Sequence, residues 1–218
     1  MRYEELTIEG RNAVLEAFRS GRTIDRLFVL KGCQDGPINS ILREARKRDT
    51  VISYVPRERL DHMSETGKHQ GVIAYAAAYE YAQVEDILQA AREKGEDPFL
   101  ILLDNIEDPH NLGAIIRTAN LAGAHGVIIP KRRAAGLTAT VAKASAGALN
   151  YTPVAKVTNL GTTIDELKKQ GIWFVCADMD GTVMYDVNLK GPIGLVIGNE
   201  GEGVSRLIRE KCDYQVSV

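Results

Sequence analysis

The sequence predicts an α/β protein whose second half forms a parallel sheet covered by helices. Short, almost wholly apolar runs such as "FLILL" recur in the second half, which is typical of strands buried on both faces. Helical stretches separate these runs, and this strand-helix alternation favours a parallel sheet. The first half has its own α/β rhythm over residues 1–80, close to the lower size at which a core supports itself.

The first half is predicted to contain three helices and three strands. In the first helix, "EGRNAVLEAFRSG", the apolar residues Val14, Leu15 and Phe18 share one side. The amphipathic run "INSILREARKRD" predicts a second helix and "RERLDHMSE" a third. The strands are "RLFVL", "VISYV" and "GVIAYAAAY". The polar, helix-like segment 81–97 is predicted to connect the two halves.

The second half is predicted to alternate four strands with four helices. The strands are "FLILLD", "GVIIP", "WFVCAD" and "IGLVIGN". The helices are 111–123, 138–149, 162–170 and 204–211. Because ligands of such sheets bind beyond the carboxyl ends of the strands, functional residues are expected just after each strand. Those segments are Asp104–Arg117, Pro130–Arg133, Asp178–Thr182 and Gly198–Ser205.

The composition of the chain limits the classes of protein to which it can belong. The net charge of −2 gives no general attraction to nucleic acid, so an RNA partner would need local basic patches. No apolar run reaches the ~20 residues that span a bilayer, and the N-terminus lacks a signal-peptide core, which predicts a cytoplasmic protein. Cys33, Cys176 and Cys212 show no C-x-x-C spacing, which favours reduced thiols over a metal site.

The stretch "FVCADMDGTVMYD" raises a phosphatase hypothesis. Its Asp-x-Asp-Gly-Thr resembles the nucleophile motif of the haloacid dehalogenase phosphatases, with Asp178 at a strand end. The other residues of that chemistry are missing, because the 40 residues that follow (218 minus 178) contain no magnesium-binding acidic pair at a strand end. We favour a β-turn in which Asp180-Gly181 supplies the position with positive φ.

The segment "LLDNIEDPHNLGAIIRTANLAGA" predicts a strand followed by a helix at the ligand edge. Asp108, Pro109 and Asn111 are typical helix-start residues. Gly113 and Arg117 lie four residues apart on one face of the helix. The Arg117 guanidinium would then lie beside a glycine, which allows another group to approach the backbone closely. The expected core stripe is Leu112, Ile115, Ile116 and Ala119. The alternative is a surface arginine paired with Asp108 or Glu107.

In "IGLVIGNEGEGVS" a buried strand leads into a glycine-rich turn that begins at Gly198. Glycines at such a junction let backbone N–H groups approach a ligand. Glu200 and Glu202 would repel a pyrophosphate, so an uncharged or cationic ligand fits better, and S-adenosylmethionine, a cation without phosphate, is one such ligand. A tight structural turn is the alternative.

These two segments, in this order, resemble the first two signature motifs of the SpoU/TrmH branch of the SPOUT methyltransferases. "IEGRNAVLEAF" and "HQGVIAYAAAY" resemble the ribosomal-protein-L30-like substrate-binding domain fused to such enzymes, so the resemblance covers nearly the whole chain. It implies an enzyme that transfers a methyl group from S-adenosylmethionine to a ribose 2′-hydroxyl of RNA. The layout is most similar to the subfamily that methylates a guanosine of bacterial 23S rRNA, and a tRNA guanosine methyltransferase is close behind.

The resemblance also implies the architecture. Residues 1–80 would be an L30-like α/β domain that binds the RNA substrate, and residues 98–218 a SPOUT parallel-sheet domain that forms a homodimer. In the family the chain end forms a trefoil knot, a rare exception to unknotted chains. This sequence stops at "CDYQVSV", where the family's third motif begins. Either the protein continues past Val218 or it lacks the knot-forming segment.

Roles for single residues follow from the same resemblance. Arg117 is expected to act at the 2′-hydroxyl, Asn111 to orient Arg117 or the ribose, and Glu200 to bind or orient the substrate or that arginine. No metal is needed. The residues expected to bind the cofactor are Gly198, Asn199, Gly201 and Val218.

Basic clusters predict where RNA would bind. One cluster, on a predicted helix of the first half, includes Arg43, Arg46 and Lys47, and a second includes Arg132 and Arg133 after "GVIIP". Phosphate contacts of this kind hold RNA without reading its sequence. A solvated mixed-charge surface explains each cluster equally well. A non-catalytic RNA-binding protein with a decayed enzyme domain is the competing functional class.

Overall fold

The computed structural model describes residues 6–217, and the chain divides into two compact units. The first unit comprises the residues up to Glu80 together with the short segment Gly136–Thr140. The second unit comprises Tyr81–Ala135 and the residues from Val141 onward. Each unit has its own sheet and its own hydrophobic core. Within the described range, no helix has the length and apolarity that a bilayer crossing needs.

The first unit is built on a four-stranded sheet. Its strands are β1 (Leu6–Glu9), β2 (Ile24–Leu30), β3 (Val51–Val55) and β4 (Val72–Ala76). Its helices are α1 (Arg11–Arg19), α2 (Gly36–Lys47) and α3 (Arg57–Met63). The strand order is β1-β4-β2-β3; β4 is antiparallel to both neighbours, and β2 is parallel to β3. The carboxyl ends of β1, β2 and β3 therefore meet at one edge.

Strand β2 shows why this sheet is covered on both sides. Leu27 and Val29 belong to the core cluster that contains the buried residues of α1 and α2, whereas Phe28 packs with Leu60 of α3. This alternation follows from the period of two along a strand. Helix α2 begins where the Asp35 carboxylate accepts the Ile38 N–H at 3.1 Å, which is a side-chain cap of the kind that aspartate provides.

The second unit contains a six-stranded sheet. Its strands are β5 (Phe99–Leu103), β6 (Gly126–Pro130), β7 (Val154–Val157), β8 (Trp173–Val183), β9 (Ile193–Ile197) and β10 (Tyr214–Ser217). The helices are α4 (Val84–Lys94), α5 (Pro109–Leu121), α6 (Ala139–Ala144), α7 (Leu160–Lys168) and α8 (Arg206–Arg209). The strand order is β10-β8-β9-β5-β6-β7, and all five pairings are parallel. The predicted α/β class with a parallel sheet is confirmed.

The segment 81–97 is not a bare connector, and that prediction needs correction. It contains α4, whose Ile87 and Leu88 are buried in the core cluster of the second unit. A methyl group added at Gly126 of β6 would lie 2.6 Å from Ile87 Cδ1, so the helix packs closely on the sheet. The polar exposed face of α4 made the segment look like a linker.

Three strands were not predicted. These are β1, β7 and β10, each of four residues, and such short runs carry little periodic signal. The predicted helix 138–149 is interrupted after Ala144, because Ala146 and Gly147 have positive φ values of 49° and 91°. A short 3₁₀ turn, Ala148–Asn150, follows. Sequence periodicity alone did not show this break.

The predicted turn at Asp180-Gly181 is replaced by a bulge in β8. Gln215 of β10 pairs with Cys176, and the next residue, Val216, pairs with Thr182, so the residues of β8 between them loop out. Gly181 is not among the residues with positive φ. A Cβ on Gly181 would lie 2.5 Å from the Val216 carbonyl carbon. Glycine is needed there for space, not for a left-handed conformation.

All three cysteines are free, and two of them are neighbours. A hydrogen bond with Cys212 lowers the pKa of the buried Cys176 thiol, and the same bond together with burial raises the pKa of Cys212. Of the two thiols, Cys212 therefore holds its proton more strongly.

Candidate active site

The two motif segments lie side by side at the carboxyl edge of the second sheet. Strand β5 pairs with β9, and the ladder continues because the Asp104 N–H donates to the Ile197 carbonyl at 2.9 Å. Asp104 is buried, and its carboxylate accepts the Ser205 N–H at 2.8 Å. A buried carboxylate needs such a donor. Asp104 therefore joins the loop after β5 to the loop after β9 by a hydrogen bond.

The glycine-rich turn is closed on itself. Asn199 and Gly203 exchange two backbone hydrogen bonds of 3.1 and 2.8 Å. The Asn199 side-chain oxygen accepts the N–H groups of Gly201 and Glu202, and its amide group donates to the Asn105 carbonyl at 3.4 Å. Asn199 thus shapes the turn and ties it to the loop after β5.

Gly198 is required by this closure. An added Cβ would lie 2.0 Å from the Gly203 carbonyl carbon and 2.2 Å from the Val204 nitrogen, which no side chain tolerates. At Gly201 the nearest atom to an added Cβ is an Asn199 side-chain oxygen at 3.4 Å. The turn is therefore tight at its base and open at its tip. Glu200 and Glu202 are exposed at that tip.

Helix α5 begins as the sequence predicts. The Asp108 carboxylate accepts the Asn111 N–H at 2.9 Å, and Pro109 occupies the first turn. Asn111 itself is exposed. The buried residues are Leu112, Gly113, Ile116 and Ala119. Ile115, predicted in the core stripe, instead lines an apolar groove of about 270 Å³ with Leu195 and Ile197.

Gly113 has a structural role that the sequence did not reveal. An added Cβ would lie 2.4 Å from Ala144 Cβ and 2.9 Å from the Val141 carbonyl oxygen. The close approach expected for a ligand is therefore a close approach of α5 to α6 and the residues beside it. Mutation of Gly113 would separate these segments whether or not a ligand is bound.

Arg117 is exposed on α5. Among residues 6–217 it makes no ion pair with Asp108 or Glu107, so the alternative of a paired surface arginine is not supported. It also makes no hydrogen bond to the Gly198–Gly203 turn within the same range. The guanidinium is left available to an outside group.

A cleft of about 610 Å³ opens beside Asp104, beyond the ends of β5, β6 and β7. Arg132 and Arg133 line it, together with Asn105 and Lys211. Asn105 and Arg133 have positive φ values of 60° and 55°, and residues in this conformation cluster at functional sites. The cleft brings two predicted RNA-binding arginines to the ligand edge of the sheet.

One wall of this cleft was not predicted from the sequence. It consists of the residues from Thr158 to Thr162, which follow β7, and of Lys211 near α8. Asn159 caps α7 by accepting the Thr162 N–H at 3.0 Å. The run "VAKVTNL" carried the signal, since an asparagine after an apolar stretch is a typical helix start.

The other predicted residues belong to the first unit or fall outside the described range. Arg43, Arg46 and Lys47 are exposed on α2 of the first unit, and Lys47 pairs with Glu44 at 3.3 Å. Val218, expected to bind the cofactor, lies outside the described residues.

Asp178 has a structural partner. Its carboxylate lies 3.0 Å from Arg209 Nε, and only 11% of the side chain is exposed. Among residues 6–217, no group of three His, Cys, Asp or Glu side chains is placed to hold a metal ion. An ion pair between β8 and α8 accounts for the aspartate motif better than a phosphatase nucleophile does.

The residues at this edge fit S-adenosylmethionine. Glu200 and Glu202 carry negative charge that would attract a sulfonium. The edge thus combines a glycine-rich turn with negative charge.

Comparison with known families supports this interpretation. The profile of the SpoU rRNA Methylase family matches residues 98–218. A second profile, RNA 2′-O ribose methyltransferase substrate binding, matches residues 7–82.

Similar proteins and a similar solved structure agree with these two profile matches. YacO of Bacillus subtilis (strain 168), assigned to the TrmH family of tRNA/rRNA methyltransferases, is 50% identical over 211 residues, 96% of this chain and 84% of that protein. A protein of Staphylococcus haemolyticus with the same family assignment is 45% identical over 216 residues, 99% of this chain and 86% of that protein. The crystal structure of the SpoU methyltransferase AviRb from Streptomyces viridochromogenes, in complex with S-adenosylmethionine, has a TM-score of 0.58 and 25% identity, and the match covers 98% of this chain and 80% of AviRb.

Proposed function

The chain belongs to the SpoU rRNA methylase family, and we propose that it methylates the 2′-hydroxyl of a guanosine ribose in 23S rRNA. As a family member it is an RNA ribose 2′-O-methyltransferase that uses S-adenosylmethionine. The choice of a 23S rRNA guanosine rests on the similarity of the motifs and of the two-unit layout to that subfamily. The names of the relatives cover both tRNA and rRNA, so a tRNA guanosine is the second candidate.

The main support for the proposal is the pair of hydrogen bonds that join the two motif segments. Asp104 accepts the Ser205 N–H, and the Asn199 amide donates to the Asn105 carbonyl. These bonds hold the glycine turn beside the loop that leads to the start of α5. A donor site built on the turn and an acceptor site built on α5 would then share one edge of the sheet.

Methyl transfer requires the chain to align the methyl donor with the ribose hydroxyl and to stabilise the charge that develops during the reaction. When bound, S-adenosylmethionine would supply an electrophilic methyl group on a sulfonium, for which the leaving group is a neutral thioether. The ribose hydroxyl is a weak nucleophile until its proton is removed, and removal of that proton develops negative charge on the oxygen. Arg117 keeps its proton in proteins and therefore suits the role of a fixed cation beside that oxygen or the neighbouring phosphate, which would then take the hydroxyl proton.

The remaining roles follow from position. Asn111, six residues before Arg117 on α5, would orient Arg117 or the ribose. Glu200, exposed at the tip of the turn, would bind or orient the substrate or that arginine. Gly198, Asn199 and Gly201 would hold the cofactor, Gly198 through its backbone and the other two by shaping the turn.

We assign RNA binding and methyl transfer to different units of the chain. Residues 1–80 would bind the RNA substrate, and residues 98–218 would transfer the methyl group and form a homodimer. Arg132 and Arg133 of the cleft beside Asp104 would contact RNA phosphates near the site, and Arg43, Arg46 and Lys47 would do so from the first unit.

Mapping 2′-O-methyl groups tests the reaction and the substrate together. The rRNA and tRNA fractions of cells with and without the gene are compared nucleotide by nucleotide. Loss of one methyl group from a 23S rRNA guanosine supports the proposal, and loss from a tRNA guanosine selects the second candidate. Identical methylation in both strains would contradict both. Light scattering of the purified protein measures whether it is a dimer.

Replacement of Arg117 by alanine tests its role. We expect methyl transfer to fall by about 10²–10³-fold, the usual effect of removing one group that stabilises developing charge. Binding of S-adenosylmethionine, measured by calorimetry, should stay unchanged. Arg206→Ala is the matched control, because the Arg206 side chain is 89% exposed on α8 and has no proposed role. A near-normal rate for the Arg117 variant would remove that residue from the mechanism.

A further inference from the structure

The Asp-x-Asp-Gly-Thr run of β8 has a use that the sequence did not show. Asp178 belongs to the part of β8 that loops out between Cys176 and Thr182. One carboxylate oxygen of Asp178 accepts the Asp180 N–H at 3.2 Å, and the other lies 3.0 Å from Arg209 Nε. Asp178 therefore supports the bulge with one oxygen and fixes the Arg209 side chain with the other.

Arg209 extends this support to the glycine-rich turn after β9. Its Nη2 donates to the Val204 carbonyl at 3.3 Å. Val204 is buried directly after the turn, and its nitrogen lies 2.2 Å from the position that a Cβ on Gly198 would take. The Arg209 guanidinium therefore joins Asp178 of β8 to the base of the turn.

Three consecutive residues at the end of the turn are held by three different groups. Backbone hydrogen bonds within the turn fix Gly203. The Asp104 carboxylate fixes Ser205. Val204, between them, is held through its carbonyl by Arg209. The support of Val204 thus depends on the orientation of a side chain that an ion pair fixes.

This ion pair is sheltered from water. Only 11% of the Asp178 side chain and 37% of the Arg209 side chain are exposed. Arg209 Nε is buried and has no aligned hydrogen-bond acceptor among residues 6–217, so the nearby Asp178 charge is what offsets its burial. A buried charged group that loses its counter-charge is strongly unfavourable. Without the Asp178 charge, the guanidinium would turn toward water and leave the Val204 carbonyl.

We propose that Asp178 and Arg209 are positioning residues for the methyl donor. Through the Val204 carbonyl they keep the turn after β9 closed, and the closed turn is the state that binds S-adenosylmethionine. A loop that is ordered before binding raises affinity, because the ligand does not have to order it. The inference rests on the proposed function, since it takes this turn as part of the cofactor site.

A second ion pair of similar burial follows α8 in the chain, whereas the turn precedes α8. Lys168 Nζ lies 2.7 Å from Asp213 and donates to the Lys211 carbonyl at 3.0 Å. The side chains of Lys168 and Asp213 are 36% and 17% exposed, close to the values for Arg209 and Asp178. Each pair combines a cation on a helix, a carboxylate and a backbone carbonyl. Lys168→Met is therefore a matched control for Arg209→Met.

Calorimetry with S-adenosylmethionine tests the effect on cofactor affinity. Arg209→Met and Asp178→Asn should each weaken binding by about 10-fold, the loss expected when the closed turn is populated roughly one tenth of the time. Arg209→Lys keeps the charge and should restore part of the affinity. The double variant should bind no worse than Arg209→Met, because Asp178 acts through Arg209. Lys168→Met should lower the midpoint of thermal unfolding as much as Arg209→Met does and leave the affinity unchanged.

Hydrogen exchange measures the turn directly, in the protein without cofactor. In Arg209→Met the amides of Gly203 and Ser205, which donate hydrogen bonds in the closed turn, should exchange about 10-fold faster. In Lys168→Met they should exchange at the normal rate. Asp178→Asn changes charge but hardly any volume, so it carries both measurements if Arg209→Met does not fold.

Equal affinities of Arg209→Met and Lys168→Met, or normal exchange of the turn in Asp178→Asn, would overturn the inference. Gly198→Ala separates this failure from failure of the proposed site. If Gly198→Ala abolishes S-adenosylmethionine binding while Arg209→Met and Asp178→Asn bind normally, the inference fails and the cofactor role of the turn stands. If Arg209→Met loosens the turn but binding is normal both there and in Gly198→Ala, the turn is not the cofactor site, and the inference falls with that assignment.

Discussion

Single carboxylates join segments of this chain that are far apart in sequence. Asp104 receives an N–H group from Ser205, and Glu9 receives hydrogen bonds from Ser64, Glu65 and Thr66. No periodic pattern connects such partners, so the sequence did not reveal either clamp. The sequence did single out Arg117 as a candidate for the mechanism, because an arginine on a small apolar helix is unusual. Its exposure in the structure leaves the guanidinium free to act.

Glu9 gives a prediction about pH. Partial burial raises the pKa of Glu9, but the Ser64, Thr66 and Glu65 hydrogen bonds outweigh it and leave the pKa below its ordinary value of 4.5. The ionised carboxylate therefore stabilises the fold above pH 4.5, and that contribution is lost as pH falls through the lowered pKa. Glu9→Gln should lower the free energy of unfolding by about 1 kcal/mol at pH 7. Urea unfolding at a series of pH values measures this difference, which should shrink toward zero in acid.

Glu65→Gln is the control for that series. The Glu65 side chain is exposed and offers no comparable clamp, so its effect should be small and independent of pH. A constant difference between the protein and Glu9→Gln from neutral to acid pH would contradict the assignment of Glu9.

At the scale of elements, glycines decide where strands and turns can meet. Gly181 lets β10 pass next to the bulge in β8, and Gly198 lets the turn after β9 close on Gly203. The sequence showed that the turn is rich in glycine. Which glycine needs space and which only lines the surface became clear from the atoms that an added Cβ would meet.

A pair of substitutions within one turn tests this difference. Gly198→Ala would force its methyl group against the Gly203 backbone, so we expect the turn to open, with loss of S-adenosylmethionine binding and about 2–4 kcal/mol of stability. Gly201→Ala makes the same chemical change at the open tip and should leave both nearly intact. Calorimetry and thermal unfolding measure the two effects. Equal behaviour of the two variants would mean that the closed turn is not needed for cofactor binding.

At the scale of the whole molecule, the two units have separate hydrophobic cores. The core cluster of the first contains Leu27 and Phe18, and that of the second contains Leu100 and Phe174. The only tryptophan, Trp173, lies on β8 of the second unit. Its fluorescence therefore reports the unfolding of one unit.

Leu27→Ala should separate the two transitions. Leu27 is fully buried, and such a truncation costs about 2–5 kcal/mol, a large share of the stability of a unit of this size. We expect the first unit to melt early by circular dichroism while the Trp173 transition keeps its midpoint. Leu100→Ala, the corresponding change in β5, should lower the Trp173 midpoint instead. A Trp173 transition that shifts equally in both variants would show that the units unfold together.

The sequence by itself determined the α/β class, the parallel sheet of the second unit and the motifs that identify the family, and it predicted the edge at which we propose that ligands bind. These features depend on local patterns: apolar runs, helix-start residues such as Asp108, and glycines after β9. Only the tertiary structure decided that α4 belongs to the second core, that β7 and β10 complete the sheet, and that Gly113 is a helix contact. Those facts depend on which distant atoms come within a few ångströms, and a local pattern does not record distance through space.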